Sequence, residues 1–149
     1  MNTNIENTVG QLSELDPRIT ALANFLECDY EDISEASYGN NTFKYGNQEY
    51  LVLTDSEADD VVAEYIKESA WAFNASFLSS MTRLPEDMFI AVQDKCESSN
   101  DAVLQCIEQS CGLDEFVEQA VSADGRGHFL SGYDGNENES GEYFIYRTN

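Results

Sequence analysis

Basic residues are scarce in this sequence, which has 7 Lys and Arg and 1 His against 29 Asp and Glu in 149 residues. The formal net charge at pH 7 is therefore −22. Such a surface repels the phosphates of DNA and RNA and the headgroups of anionic membranes, so direct binding to either is not expected. The expected partner is a cationic protein, and many cationic protein surfaces are themselves nucleic-acid-binding sites.

Long hydrophobic runs are also missing, since no segment approaches the ~18 apolar residues that a membrane-spanning helix needs. The stretch from Met1 to Glu6 lacks the basic and apolar regions of a signal peptide, so a cytoplasmic location is expected. In a chain without export signals, cysteines are expected to be reduced and buried. There are four of them: Cys28, Cys96, Cys106 and Cys111.

Catalytic groups are few, because His128 is the only histidine and no nucleophile elbow or glycine-rich phosphate loop is present. Arg126 and His128, flanked by glycines, could form an anion-binding acid–base pair beside a turn. A tight turn that leads into a strand is the favoured interpretation of the same segment. The sequence therefore predicts no catalytic residue, no cofactor and no enzyme activity.

A metal site is not predicted either. Asp134, Asn136 and Asn138 alternate like the first ligands of an EF-hand loop, but Glu139 stands where glycine is required. The closing glutamate position holds Ile145. The cysteines lack the close C-x-x-C pairing of zinc sites.

The length and an apolar share of 42% predict a single domain over residues 1–149, with a flexible tail over residues 1–12. The expected fold class is α+β, with a small antiparallel sheet of two hairpins and four to five helices packed on it. One hairpin pairs residues 42–45 with 49–53, and the other pairs 128–130 with 143–146 around a polar loop at 134–141. Segment 73–78 is expected to be a buried aromatic connector. Helices are predicted to start at Pro17 after an Asp16 N-cap, after a Thr54–Glu57 capping box, at Pro85, after an Asn100 N-cap, and at Leu113.

The helix predicted after the Thr54–Glu57 capping box carries mostly negative charge, and this charge provides the candidate site. Four carboxylates spaced by three, four and four residues form a stripe with members about 4.5–6 Å apart, a scale comparable to the ~3.4 Å axial spacing of DNA phosphates. They are Glu57, Asp60, Glu64 and Glu68. A second acidic segment supplies Asp29, Glu31, Asp32 and Glu35. The sequence thus predicts a partner-binding surface that imitates a phosphate backbone.

The alternative is an ordinary solvated helix face, or acidity that serves solubility alone. Ordinary surfaces mix both signs of charge, whereas residues 29–68 hold 11 carboxylates against only Lys44 and Lys67. Like charges four residues apart on a helix are destabilising, so repeated like-charge neighbours favour a use for the charge.

Four segments resemble small proteins encoded by bacteriophages and mobile elements: EYLVLTD at 49–55, EYI at 64–66, WAFNASF at 71–77 and DGRGHFLSGYDG at 124–135. The resemblance covers roughly residues 42–148 and implies a context, a bacterial host cell, without a mechanism. In size and acidity the chain is also similar to phage-encoded anti-restriction and anti-CRISPR inhibitors, several of which act as DNA mimics.

The leading hypothesis is a phage-type inhibitor, an acidic DNA mimic on the cationic nucleic-acid-binding surface of a host defence nuclease or CRISPR complex. The alternative is a non-enzymatic interaction adaptor with an aromatic surface, since interface cores favour aromatic side chains. Its candidate residues are Tyr38, Tyr45, Tyr50, Trp71, Phe73 and Phe77.

Overall fold

The computed structural model describes residues 16–149, so the tail expected over residues 1–12 lies outside the described residues. The described chain contains five strands in one antiparallel sheet and seven α-helices, which confirms the predicted α+β class. The strands are β1 Ile33–Glu35, β2 Thr42–Tyr45, β3 Gln48–Thr54, β4 Asn138–Ser140 and β5 Tyr143–Arg147. The helices are α1 Pro17–Leu26, α2 Asp55–Glu68, α3 Ala75–Thr82, α4 Glu86–Gln93, α5 Asn100–Gln109, α6 Leu113–Asp124 and α7 Arg126–Leu130.

The chain divides into two compact units. The first runs up to Ala58 and resumes at Leu130–Asn149, and the second is Asp59–Phe129. The chain passes from one unit to the other inside helix α2 and again inside helix α7, so no Gly- or Pro-rich linker marks either boundary in the sequence. The single domain expected for residues 1–149 stays a prediction.

The first unit is a sheet with strand order β1-β2-β3-β5-β4 and one helix, α1, packed on it. The predicted β2–β3 hairpin is confirmed, with Tyr45 opposite Gln48 and a tight turn in which Gly46 has φ +61°. Asp16 caps α1 as predicted, because its carboxylate accepts a hydrogen bond of 2.9 Å from the backbone N–H of Arg18. Leu22 of α1 meets Val52 and Ile145 of the sheet in a fully buried core.

The second hairpin was predicted on the wrong residues. His128, Phe129 and Leu130 belong to helix α7, and the hairpin partner of β5 is β4, inside the predicted polar loop. A three-residue apolar run does not distinguish a strand from a buried helical turn. Polar Asn138–Ser140 lacks strand-forming side chains, so its pairing depends on backbone hydrogen bonds and on a turn in which Gly141 has φ +61°.

The second unit is helical, with α3 packed on α4 and α5, and α5 packed on α6. The aromatic connector expected over residues 73–78 is wrong, since Ala75–Thr82 is helix α3, capped by the side chain of Asn74. Asn100 is not an N-cap as predicted but the first residue of α5. Its side-chain amide instead accepts from the backbone N–H of Trp71 at 3.0 Å and donates to the carbonyl of Lys67 at 2.9 Å.

Candidate acidic binding surface

The polar face of α2 carries three exposed carboxylates, Asp60, Glu64 and Glu68, whereas Val62 and Ile66 on the opposite side are buried. Successive members are four residues apart, which is about 6 Å of helix rise. No ion pair within residues 16–149 involves any of the three. These carboxylates therefore present uncompensated negative charge to solvent, and we call them the α2 stripe.

Glu57, the fourth predicted member, is engaged within the protein. Its carboxylate receives two parallel hydrogen bonds from the guanidinium of Arg18, at 2.6 and 2.9 Å, and one from the backbone N–H of Thr54 at 2.8 Å. The bonds from Arg18, followed by those from Thr54, lower the pKa of Glu57 to about 2. The α2 stripe therefore omits Glu57, whose charge is compensated and whose role is structural.

The second acidic segment lies in the first unit and is likewise exposed. Tyr30–Asp32 forms a 3-10 turn that leads into β1, an edge strand of the sheet. Burial, followed by the charges of Asp32 and Asp29, raises the pKa of the neighbouring Cys28 thiol. Charged residues on an edge strand also discourage pairing with other chains, so this segment has a structural explanation beside the functional one. The four predicted residues, all exposed, are Asp29, Glu31, Asp32 and Glu35.

Three of the arginines contact groups of the protein itself. Arg18 binds Glu57, and Arg126 donates to Asp59 at 3.0 Å. The guanidinium of Arg147 lies 3.5 Å from the centre of the Tyr133 ring and donates to the carbonyl of Asn149 at 2.6 Å. The remaining cationic side chains are exposed: Lys44, Lys67, Arg83 and Lys95. Internal use of arginine leaves carboxylates to dominate the surface field.

The aromatic residues proposed for an adaptor surface do not form one exposed patch. The prediction that Tyr50 lies on the surface is wrong, since Tyr50 is 4% exposed and belongs to the core beneath α1. Phe73 and Phe77 pack on the buried Phe116, with ring centroids 5.0 and 5.3 Å apart. Tyr38 is exposed, and its hydroxyl donates to Glu49. Tyr45 and Trp71 are half-buried.

An open cavity of about 240 Å³ in the second unit lies beside Tyr65 of α2. Its walls include Tyr65, Phe73, Asn74, Asp124, His128 and Phe129. Arg126, the proposed partner of His128 in an acid–base pair, is bound to Asp59 and does not line the cavity. This site is not predicted from the sequence, because a strand is expected over residues 128–130 whereas Phe129 lies in helix α7. The available signal was Tyr65, an aromatic residue between the acidic positions 64 and 68.

Metal-binding side chains do not converge within the described part of the chain, where no three His, Cys, Asp or Glu side chains could hold an ion. Asp134 accepts hydrogen bonds from the backbone N–H of Asn136 and the hydroxyl of Ser131, which lower its pKa. The four cysteines are free, and the expectation that they are buried is wrong: Cys96 is exposed, and Cys28, Cys106 and Cys111 are half-buried. No helix among residues 16–149 has the length and apolar character needed to cross a bilayer.

No family model, curated protein or solved structure matches this chain. The resemblance to phage and mobile-element proteins therefore stays a prediction.

Proposed function

We propose that this protein is a phage-type inhibitor that occupies the cationic nucleic-acid-binding surface of a host defence nuclease or CRISPR complex. It binds there as an acidic mimic of DNA. The α2 stripe supplies phosphate-like charge to the partner, and the segment from Asp29 to Glu35 adds a second acidic contact. Glu57 contributes stability rather than binding.

The observation that carries the proposal is the uncompensated charge of Asp60, Glu64 and Glu68. A solvated helix face is commonly stabilised by pairs of opposite charge four residues apart, but here both such pairs along the stripe are like-charged. Each like-charge pair costs a few tenths of a kcal/mol. A cationic partner surface removes that repulsion on binding, which gives the arrangement a favourable use.

The test compares two variants with the same change in charge. Asp60→Asn/Glu64→Gln/Glu68→Gln removes the α2 stripe, and Asp94→Asn/Glu97→Gln/Glu108→Gln removes three exposed carboxylates elsewhere in the second unit. Each variant removes three negative charges and so changes the net charge from −22 to −19. Circular dichroism first establishes that both variants fold.

The tagged proteins are used for affinity purification from a bacterium that carries restriction and CRISPR systems, with washes at low and high salt. Captured complexes are then assayed for DNA cleavage with and without each protein. We expect wild type and the control variant to bind in a salt-sensitive manner and to inhibit cleavage, whereas the stripe variant does neither. Equal behaviour of the two variants, or salt-resistant binding, would refute the mimic.

A further inference from the structure

We infer that the cavity beside Tyr65 is a cation-binding cage that receives one arginine side chain of the partner protein. The inference depends on the proposed function, because a cationic partner is what brings the arginine. It assigns a second role to α2, which carries both the acidic stripe and one wall of the cage. The stripe attracts a basic surface, and the cage anchors one side chain of it.

The walls of the cage are aromatic. The Phe129 ring lies at the centre of the group, 6.1 Å from the Tyr65 ring and 6.0 Å from the Phe73 ring. Tyr65 is 49% exposed, and Phe73 and Phe129 are partly exposed, so the rings are accessible to a ligand. Aromatic faces attract cations within about 6 Å of the ring centroid, and arginine is the cation most often found there. The guanidinium is planar and stacks on such rings.

The single carboxylate of the cage favours a positive charge, and His128 is the single basic residue of the lining. Asp124 lines the cavity as the last residue of α6, and Ser69 lines it directly after the end of α2. Helix C-termini carry partial negative charge, so both helix ends add to the field of the Asp124 carboxylate. Lys67 points away, since it is two positions from Tyr65 on the helix and does not line the cavity. A carboxylate can accept two parallel hydrogen bonds from one guanidinium.

The size of the cavity suits a single side chain. At about 240 Å³ it is smaller than the ~300–1,000 Å³ typical of sites for drug-sized ligands. It is open to solvent, as insertion of a side chain from a partner surface requires. The negative charge of Asp124 disfavours phosphates and carboxylates as ligands.

The experiment follows the amide NMR signals of the full chain during titration with N-acetyl-arginine amide. N-acetyl-citrulline amide, which is nearly the same shape but uncharged, serves as the control ligand. We expect the arginine derivative to shift the signals of Tyr65, Phe73 and Phe129 with a dissociation constant on the order of a few millimolar, and the citrulline derivative to leave them in place. Tyr65→Ala should weaken the arginine derivative about fivefold.

A matched pair of variants tests the charge. Asp124→Asn should weaken binding about fivefold, whereas Asp114→Asn, an exposed carboxylate at the other end of α6, should leave it unchanged. Shifts spread evenly over the acidic surface, or equal shifts with citrulline, would refute the cage. Because no partner protein is present, a failure here leaves the α2 stripe untouched. Conversely, the stripe variant should still bind the arginine derivative even though it no longer inhibits DNA cleavage, because the stripe and the cage are different sites.

Discussion

The guanidinium of Arg18 joins the end of a strand to the start of a helix through the carboxylate of Glu57. Its Nη1 donates to the carbonyl of Val52 at 3.0 Å and to Glu57 Oε1 at 2.6 Å, while Nη2 donates to Oε2 at 2.9 Å. The same carboxylate closes the capping box with Thr54. Arg18 of α1 thus contacts both β3 and α2, and Glu57 links Arg18 to the first turn of α2.

Replacement of Glu57 by Gln should lower the free energy of unfolding by about 1–2 kcal/mol, because it weakens the capping box and removes a charge-assisted pair. The partial exposure of both side chains, 18% for Arg18 and 35% for Glu57, keeps the loss modest. Urea unfolding monitored by circular dichroism measures the change. Glu64→Gln, which removes an exposed carboxylate that makes no ion pair, is the control and should be no less stable than wild type. Equal stability of the two variants would show that the Arg18 pair contributes nothing.

The contribution of Glu57 should depend on pH in one direction. Its pKa of about 2 in the folded protein lies below the ordinary value of 4.5, so its stabilising effect is fully present above that ordinary value. The effect is lost as the pH falls from 4.5 towards about 2, where the folded protein also binds the proton.

Protonation of the many other carboxylates relieves repulsion over the same range, so wild type alone does not isolate this term. The informative quantity is the difference in unfolding free energy between wild type and Glu57→Gln. It should be constant above a pH of about 5 and shrink towards a pH of about 2. A difference that grows on acidification would contradict the assignment of the low pKa to Glu57.

Local signals in the sequence were sufficient for the parts of the fold that are locally determined. Asp16 before Pro17, the Thr54–Glu57 capping box and the Gly46 turn each satisfy backbone groups within a few residues, and all three were predicted. Strand β4 was not, because polar Asn138–Ser140 acquires its conformation from pairing with β5 rather than from its own side chains.

The candidate site was predictable only in part, for the same physical reason. Helical periodicity alone placed Asp60, Glu64 and Glu68 on one exposed face. It could not show that Glu57 is compensated, since Arg18 lies 39 residues away in the sequence. The cage was likewise out of reach, because it requires α2 and α7 to bring Tyr65 and Phe129 together.

The side-chain amide of Gln93 should be a strong determinant of stability in the second unit. Its Nε2 donates to the carbonyls of Trp71 and Phe73, at 2.8 and 2.6 Å, and so secures the segment after α2. Gln93→Leu leaves both carbonyls without this donor and should lower the free energy of unfolding by about 1–3 kcal/mol. Gln105→Leu, at an exposed position of α5, is the matched control. The fluorescence of Trp71, the single tryptophan, reports the same segment, and an unchanged unfolding midpoint for Gln93→Leu would disprove the role of this amide.

Added salt should stabilise this protein, and the α2 stripe should account for a measurable share of the effect. At a net charge of −22 the folded chain repels itself, and the screening length falls from about 30 Å at 0.01 M salt to about 8 Å at 0.15 M. The melting temperature of wild type should therefore rise over this range. The two like-charged pairs of the stripe contribute about 0.4–1 kcal/mol of repulsion. Asp60→Asn/Glu64→Gln/Glu68→Gln should thus be more stable than wild type at low salt by about that amount, with a smaller response to salt.

The variant Asp94→Asn/Glu97→Gln/Glu108→Gln separates this local repulsion from net charge, because it removes the same three charges without removing a helical like-charge pair. Thermal unfolding of the three proteins in increasing NaCl measures the difference. If both variants gain equally, the repulsion is a property of the whole surface and α2 carries no special strain. If the stripe variant alone gains, the free protein stores at α2 the repulsion that a cationic partner would relieve, which is the energetic condition that binding by charge mimicry requires.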